Sequence, residues 1–308
     1  MLYVLELCAG MGGMALGFRQ AGFCSAALIE KDDRCVRTLR LNGWDNIIHS
    51  DVRDVDFSTY VGVDVVSGGV PCQAFSPAGK KLGASDERNL WPFAMEAVRV
   101  CAPRGFMFEN SAGMASKIHA EYLEYIVSEF VAMGYNVRKH VVDAAQYGCA
   151  QHRRRLILVG TLSGVCETPE TKPVITLREA IHDLGEPNGL NGHCSPTSHA
   201  RSYKGHTPSS LDGPSKTVVA GVNGNPGGAN AVCMDDGSLR YMTCRELARL
   251  QTFPDEYILP EVRTTAIRQL GNAAPPALIK AFAERLFESI SNEAKPHGDN
   301  TESINAHL

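Results

Sequence analysis

Cys72 stands in Gly69-Val70-Pro71-Cys72-Gln73-Ala74-Phe75-Ser76, directly after the apolar run Val63-Asp64-Val65-Val66-Ser67. A thiolate is a strong nucleophile. The order of residues predicts a tight loop at the carboxyl end of a strand, the edge of an open α/β sheet where ligands bind. The chain has ten cysteines, and a cysteine is by default a small buried hydrophobe. Flanking glycines and Pro71 single this one out, because they make a stiff turn that allows close approach. A second apolar run, Gly105-Phe106-Met107-Phe108, ends in Glu109-Asn110, which brings a carboxylate to the same edge. Gln151-His152-Arg153-Arg154-Arg155 leads into the apolar Leu156-Ile157-Leu158-Val159-Gly160. Side chains of extended backbone alternate, so Gln151, Arg153 and Arg155 share one face, a candidate to enter the site. The chemistry these residues suit is nucleophilic attack by Cys72, with Glu109 beside it.

The elements that must position these groups begin at the first residues. Tyr3-Val4-Leu5-Glu6-Leu7 predicts a strand, Cys8-Ala9-Gly10-Met11-Gly12-Gly13 a glycine-rich turn, and residues 14–21 a helix. Such a unit lets backbone N–H groups approach a nucleotide-like ligand, although the spacing is not the Gly-x-Gly-x-x-Gly fingerprint. Ser25–Glu30 predicts a second strand whose terminal acid suits ribose hydroxyls. Ile47–Val52 predicts a third, with Asp51 fit to accept from an adenine amino group. Strand-like runs alternate with helical patterns at 14–21, 32–42, 88–101 and 119–133 up to about residue 160. This predicts an α/β fold, a doubly wound and mainly parallel sheet. Residues 185–240 are rich in Gly, Pro, Ser, Asn and His and predict a smaller, irregular second module. A short helix at Arg178–Ile181 precedes it. Thr243 and Glu246 have capping-box spacing, and Pro275-Pro276 opens a last amphipathic helix.

In this order the segments resemble the DNA cytosine-5 methyltransferases of bacterial type. The resemblance rests on Leu7–Gly13, Pro71–Ser76, Glu109-Asn110, Gln151–Arg155, Arg245–Pro254 and Gly271–Pro276. Glu6 replaces a frequent Asp and Cys8 a frequent Phe. Ser111, Ala150 and Ala274 are further departures, and none removes a reacting group. The resemblance implies S-adenosylmethionine as cofactor, in a pocket formed by Cys8, Ala9, Gly10, Met11, Gly12, Gly13, Glu30, Lys31, Asp51, Val52, Gly69, Pro71, Asn272 and Ala273. It implies that Cys72 adds to C6 of a flipped cytosine and that Glu109 shares a proton with N3. Burial favours that proton and nearby arginines oppose it. Arg155 would hold O2, and Arg153 would support the Cys72 loop and nearby phosphates. Ser76, Lys80, Lys81 and Arg88, on a segment suited to close over DNA, and Lys216, Asn223 and Asn225 in the small module are candidate DNA contacts. Stretches 215–219 and 221–228 are candidates to enter the major groove. The implied partner is double-stranded DNA, with a separately encoded restriction endonuclease as a further candidate, and the implied state is a monomer.

Other classes fit less well. A zinc deaminase motif needs a second cysteine after Pro71-Cys72, and Gln73-Ala74-Phe75 supplies none. The tRNA-modifying branch of the same family carries Cys-Phe-Thr where this chain has Cys244-Arg245-Glu246. A non-catalytic relative is expected to lose Cys72 or Glu109. A small-molecule methyltransferase needs neither the cysteine loop nor the module.

The 308 residues divide, on this reading, into a catalytic and cofactor-binding part (1–175), a target-recognition part (176–242), a returning C-terminal segment (243–291) and a disordered tail (292–308). Composition is that of an ordinary globular protein, 44% hydrophobic and 21% charged. The net charge of −4 argues against a steering field over the whole surface and for local basic spots at Lys80-Lys81, Arg138-Lys139-His140 and Arg153–Arg155. No signal peptide, membrane-length apolar run or disulfide-like cysteine spacing is evident, so a cytoplasmic protein with reduced thiols is expected. His193-Cys194, His199 and His206 do not match a zinc-binding spacing, and no metal is expected.

Overall fold

The computed structural model describes residues 1–70, 89–194, 200, 207–221 and 230–291. Its frame is β1 (Tyr3–Leu7), α1 (Gly13–Gln20), β2 (Cys24–Glu30), α2 (Asp33–Leu41), β3 (Ile47–His49), β4 (Val65–Gly69), α3 (Trp91–Cys101), β5 (Gly105–Ser111), α4 (Ala120–Ala132), β6 (Asn136–Asp143) and β7 (Arg154–Thr161). The seven strands form one sheet in the order β3-β2-β1-β4-β5-β7-β6. All neighbours are parallel except β7, which runs antiparallel to both β5 and β6. Strand order reverses between β1 and β4, which opens a crevice at their carboxyl ends.

Period-two patterning decides what each face of the sheet packs against. Val66, Phe106, Phe108, Leu156 and Leu158 meet Trp91, Val98, Ile126 and Phe130 of α3 and α4. Val65, Met107, Ile157 and Val159 meet Met14 and Phe18 of α1 and Leu278, Phe282 and Leu286 of α8 (Pro276–Ser291). Both faces are covered, which is why these strands read as nearly continuous apolar runs. The four expected helices up to residue 133 lie within a few residues of the positions read from periodicity.

Sequence reading missed β6. Its Asn-Val-Arg-Lys-His-Val-Val-Asp is too polar to signal a strand, yet it pairs residue for residue with β7 at the sheet edge, where charges guard against unwanted pairing. The basic spot Arg138-Lys139-His140 therefore lies along an edge. Lys139 is ion-paired with Glu124, and Thr168 contacts the His140 ring. The expected strand at 47–52 is shorter, because Asp51 turns back to cap the 3-10 turn Val52–Asp54.

After β7 come α5 (Leu177–Ile181), β8 (Ser209–Ser210), β9 (Ala231–Cys233), β10 (Leu239–Tyr241), α6 (Cys244–Leu250) and α7 (Arg263–Asn272). The three short strands form a separate sheet, β10-β9-β8. Thr176 with Glu179 and Thr243 with Glu246 make reciprocal capping boxes at the starts of α5 and α6. This half shares one core. Leu177, Leu211, Val218 and Val232 pack with Leu247, Phe253 and Leu270, and with Met11 and Leu16 of the first turn and helix. The tail from 292 onward lies outside the described residues.

Candidate active site and cofactor pocket

A pocket of about 660 Å³ opens at the β1–β4 crevice, within the size range of small-molecule sites. Its floor is the turn after β1. Cys8 takes φ 56°, a left-handed conformation uncommon outside glycine. The turn is fixed by Glu30, whose Oε2 accepts from the Gly10 N–H at 2.7 Å and whose Oε1 accepts from the Asp32 N–H at 2.7 Å. Each oxygen keeps a lone pair, so the carboxylate can still accept from two ligand hydroxyls. Gly13 has a different task. A Cβ there would sit 2.2 Å from the Ala274 carbonyl oxygen, so only glycine lets the 273–274 segment close the wall.

Of the expected cofactor residues, Cys8, Ala9, Gly10, Met11, Gly13, Glu30, Lys31, Asp51, Val52, Gly69, Asn272 and Ala273 line this pocket. Gly12 does not, because a Cβ there would face Leu39 and the Tyr257 hydroxyl, behind the turn. Pro71 lies outside the described residues. Asp51 is more occupied than expected. Its carboxylate accepts from Arg53 N, Nε and Nη2 and from Lys31 Nζ, which fills its four acceptor sites and holds its carboxyl below the usual range, chiefly through Arg53. The Lys31 contact is a single one at 3.1 Å from the more exposed of the two cations and is the easiest to yield. Sequence reading also passed over Arg34, Cys35, Arg53, Thr265, Arg268 and Gln269, which line the pocket. Only folding brings α2 and α7 to its rim.

The opposite end carries Glu109 and Arg155, the residues expected to act on the substrate. Gly69 lies in register with Glu109 on adjacent strands. The Asn110 Nδ2 donates to the Val70 carbonyl at 3.1 Å, anchoring the chain two residues before Cys72. Cys72 itself lies outside the described residues, as do Ser76, Lys80, Lys81, Arg88, Asn223 and Asn225. Glu109 is 7% exposed. Arg155 Nε stands 2.7 Å from its Oε1, an ion-pair contact without hydrogen-bond alignment. Two other cysteines line the pocket, and neither is a nucleophile near neutral pH. Burial, reinforced by Glu30, pushes the thiols of Cys8 and Cys35 up to about 12.

Two expectations are corrected. Arg153 cannot take phosphates, because it is 1% exposed and its guanidinium donates to the carbonyls of Val218, Gly271 and Ala273. The alternation around it holds, with Gln151 buried and His152 and Arg154 exposed. The backbone of Ser215–Val219 is not free to enter a groove. Ser215 N donates to Ala150 O, His152 N donates to Ser215 O, and Val218 N donates to Gln151 Oε1. Lys216 folds its ammonium onto the Thr207 carbonyl. His193 is buried between Thr243 Oγ1 and the Gly185 carbonyl. Among the described residues, no group of three His, Cys, Asp or Glu side chains is arranged to hold a metal, and no helix is long and apolar enough to cross a membrane.

A mainly parallel seven-stranded sheet with one reversed strand and a pocket at its switch point has the Rossmann-like fold of S-adenosylmethionine-dependent methyltransferases. Within that class, the chain belongs to the C-5 cytosine-specific DNA methylase family, which matches residues 2–187 and 193–288. It is a DNA cytosine-5 methyltransferase. It is 33% identical to the type II methyltransferase M.NgoMIV of Neisseria gonorrhoeae over 94% of this chain and 98% of the relative. It is likewise 33% identical to M.NaeI of Lentzea aerocolonigenes, over 96% and 76%. The fold matches that of the Entamoeba histolytica methyltransferase EhMeth with a TM-score of 0.73 at 14% identity, covering 94% of this chain and 98% of that one.

Proposed function

We propose that the protein methylates C5 of a cytosine in double-stranded DNA through a covalent adduct between Cys72 and C6, with S-adenosylmethionine as methyl donor. The observation that carries this reading is the continuity of one pocket from the Glu30-anchored turn to the Glu109–Arg155 pair, beside the strand that leads to Cys72.

Cytosine C5 is a weak nucleophile. In the proposed mechanism the Cys72 thiolate forms a C–S bond at C6, and the displaced ring electrons make C5 enamine-like. Glu109 gives a proton to N3 as this charge develops. Arg155 donates to O2 and keeps Glu109 oriented. The residues present fit the cofactor, with Glu30 holding the ribose, Asp51 and Val52 the adenine after Lys31 yields, and Asn272 and Ala273 the methionine side. When bound, S-adenosylmethionine supplies the methyl group that C5 takes up. The C5 proton then leaves to water, the C–S bond breaks, Cys72 regains its electron pair and Glu109 takes back the N3 proton.

The target base must leave the duplex, at a cost of a few kcal/mol. Ser76, Lys80, Lys81 and Arg88 are assigned to backbone contacts around it. Residues 1–175 with 243–291 serve chemistry, and 176–242 choose the sequence. A monomeric state, a cytoplasmic location and a separately encoded endonuclease as a candidate partner complete the proposal; the relatives contribute only that they are named type II methyltransferases.

The test is covalent capture. Duplex DNA carrying 5-fluorocytosine at the target, which cannot lose a proton from C5, should be trapped by wild type through Cys72 and not by Cys72→Ser. Trapping through another cysteine overturns the assignment. Bisulfite sequencing of DNA and tRNA from expressing cells distinguishes the two polymer substrates.

A further inference from the structure

Arg153 and Gln151 join three parts of the molecule that are distant in sequence. Arg153 is 1% exposed. Its Nη1 donates to Val218 O at 3.0 Å, and its Nη2 donates to Gly271 O at 2.8 Å and Ala273 O at 2.9 Å. Gln151 is fully buried. Its Nε2 donates to Leu250 O at 3.1 Å, and its Oε1 accepts from Val218 N at 3.0 Å. The far side of the 218–220 stretch is held by Asn230, whose side chain accepts from Val219 N and donates to Val219 O. The stretch also lies directly on α7, where a Cβ on Gly271 would come 2.1 Å from Ala220 N. Residues 215–220 thus form a strap between the catalytic edge at 150–153 and the pocket wall at 271–273. The strap runs into the segment beginning at 221 that is assigned to sequence choice. The wall carries Asn272 and Ala273, which line the pocket.

We propose that Arg153 and Gln151 are positioning residues that lock the strap of the recognition module to the cofactor wall. One buried guanidinium fixes the register of both. A bound cofactor and a seated DNA therefore act on the same rigid joint. The geometry suits arginine, because a planar fork reaches carbonyls on two separate segments at once, and buried carbonyls resist losing their donors. The inference rests on the reading of the pocket as the S-adenosylmethionine site.

Arg153 and Gly271 themselves line the pocket, so a cofactor defect alone does not mark the joint. Its signature is a double defect, in cofactor binding and in sequence choice, from one change. Arg153→Met should raise the calorimetric Kd for S-adenosylmethionine, measured without DNA, about tenfold. It should also lower, about tenfold, the ratio of methylation at the mapped motif to methylation at sites differing by one base. Gly271→Ala keeps Arg153 and pushes the strap off the wall by one methyl group, so it should show the same pair of effects. Asn230→Ala, which loosens the strap on the module side only, should change the sequence ratio alone. A purely structural role for Arg153 would lower the melting temperature and the active fraction, with both quantities unchanged for the folded molecules. A cofactor Kd within twofold of wild type in both Arg153→Met and Gly271→Ala overturns the joint. Failure of wild type to bind S-adenosylmethionine instead overturns the reading of the pocket.

Discussion

Two carboxylates at the pocket floor differ in what surrounds them, and that difference is testable. Glu30 is held by two backbone N–H groups. Glu30→Ala should loosen the turn and remove the proposed ribose partner, weakening S-adenosylmethionine binding by about 1.5–3 kcal/mol. Calorimetry with unchanged affinity would remove Glu30 from the site. Glu6 is 2% exposed, and its Oε2 has no hydrogen-bond partner. Burial, then the charge of Glu30, raises its carboxyl well above the ordinary value of 4.5. A raised folded-state pKa means that the folded protein holds this proton longer than the unfolded chain does. Its contribution to stability is full below the unfolded pKa and is lost as pH rises toward the folded one. Glu6→Gln has no proton to lose, so its stability relative to wild type should grow with pH above about 4.5, by up to about 1.4 kcal/mol per pH unit. Urea unfolding of both proteins between about pH 5 and 8 measures this, and a pH-independent difference would show that Glu6 is not shifted.

At the scale of elements, close approach matters more than propensity. The first turn and α1 touch the end of α7 and the start of α8 so closely that Gly13 has no room for a side chain. Gly13→Ala should cost about 1–3 kcal/mol and weaken cofactor binding, because the displaced carbonyl belongs to the wall beside Ala273. A melting curve and a cofactor titration together check this. A variant with wild-type affinity would separate the wall from the site. The elements also explain why some readings succeeded. The capping boxes at α5 and α6 and the proline start of α8 are local signals that act over three or four residues. The polar strand β6 has no such signal and exists because β7 offers it a partner.

For the molecule as a whole, net charge is −4, so attraction to DNA must come from local groups. Lys80→Ala with Lys81→Ala should weaken binding to all DNA sequences alike. It should also reduce the slope of log K against log salt by about 0.9 for each phosphate that is no longer neutralised. Substitutions at Asn223 or Asn225 should instead change which cytosines are methylated, with cofactor affinity unchanged. Genome-wide methylation maps of these variants decide the matter. The division fails if the lysine pair alters the motif while the module variants leave it intact.

The residues on which the proposed chemistry rests stand out in residue order alone. Cys72, Glu109 and Arg155 each stand at the edge of an apolar run, and Glu30 ends the second strand, because reacting groups gather where a parallel sheet's strands end. Local periodicity likewise set the helices and the mainly parallel sheet. Partnership was not legible. Nothing in Gln151–Arg155 distinguishes Arg155, which reaches Glu109, from Arg153, which holds three carbonyls. Both lie on the same face of the chain, and what each meets depends on segments far away in sequence. The same holds for Gly12 against Gly13, and for Asp51 with its four acceptor sites already filled. A side chain's type and spacing declare what it can do. Only the packing of distant backbone decides which hydrogen-bond sites are already used and which remain open to a ligand.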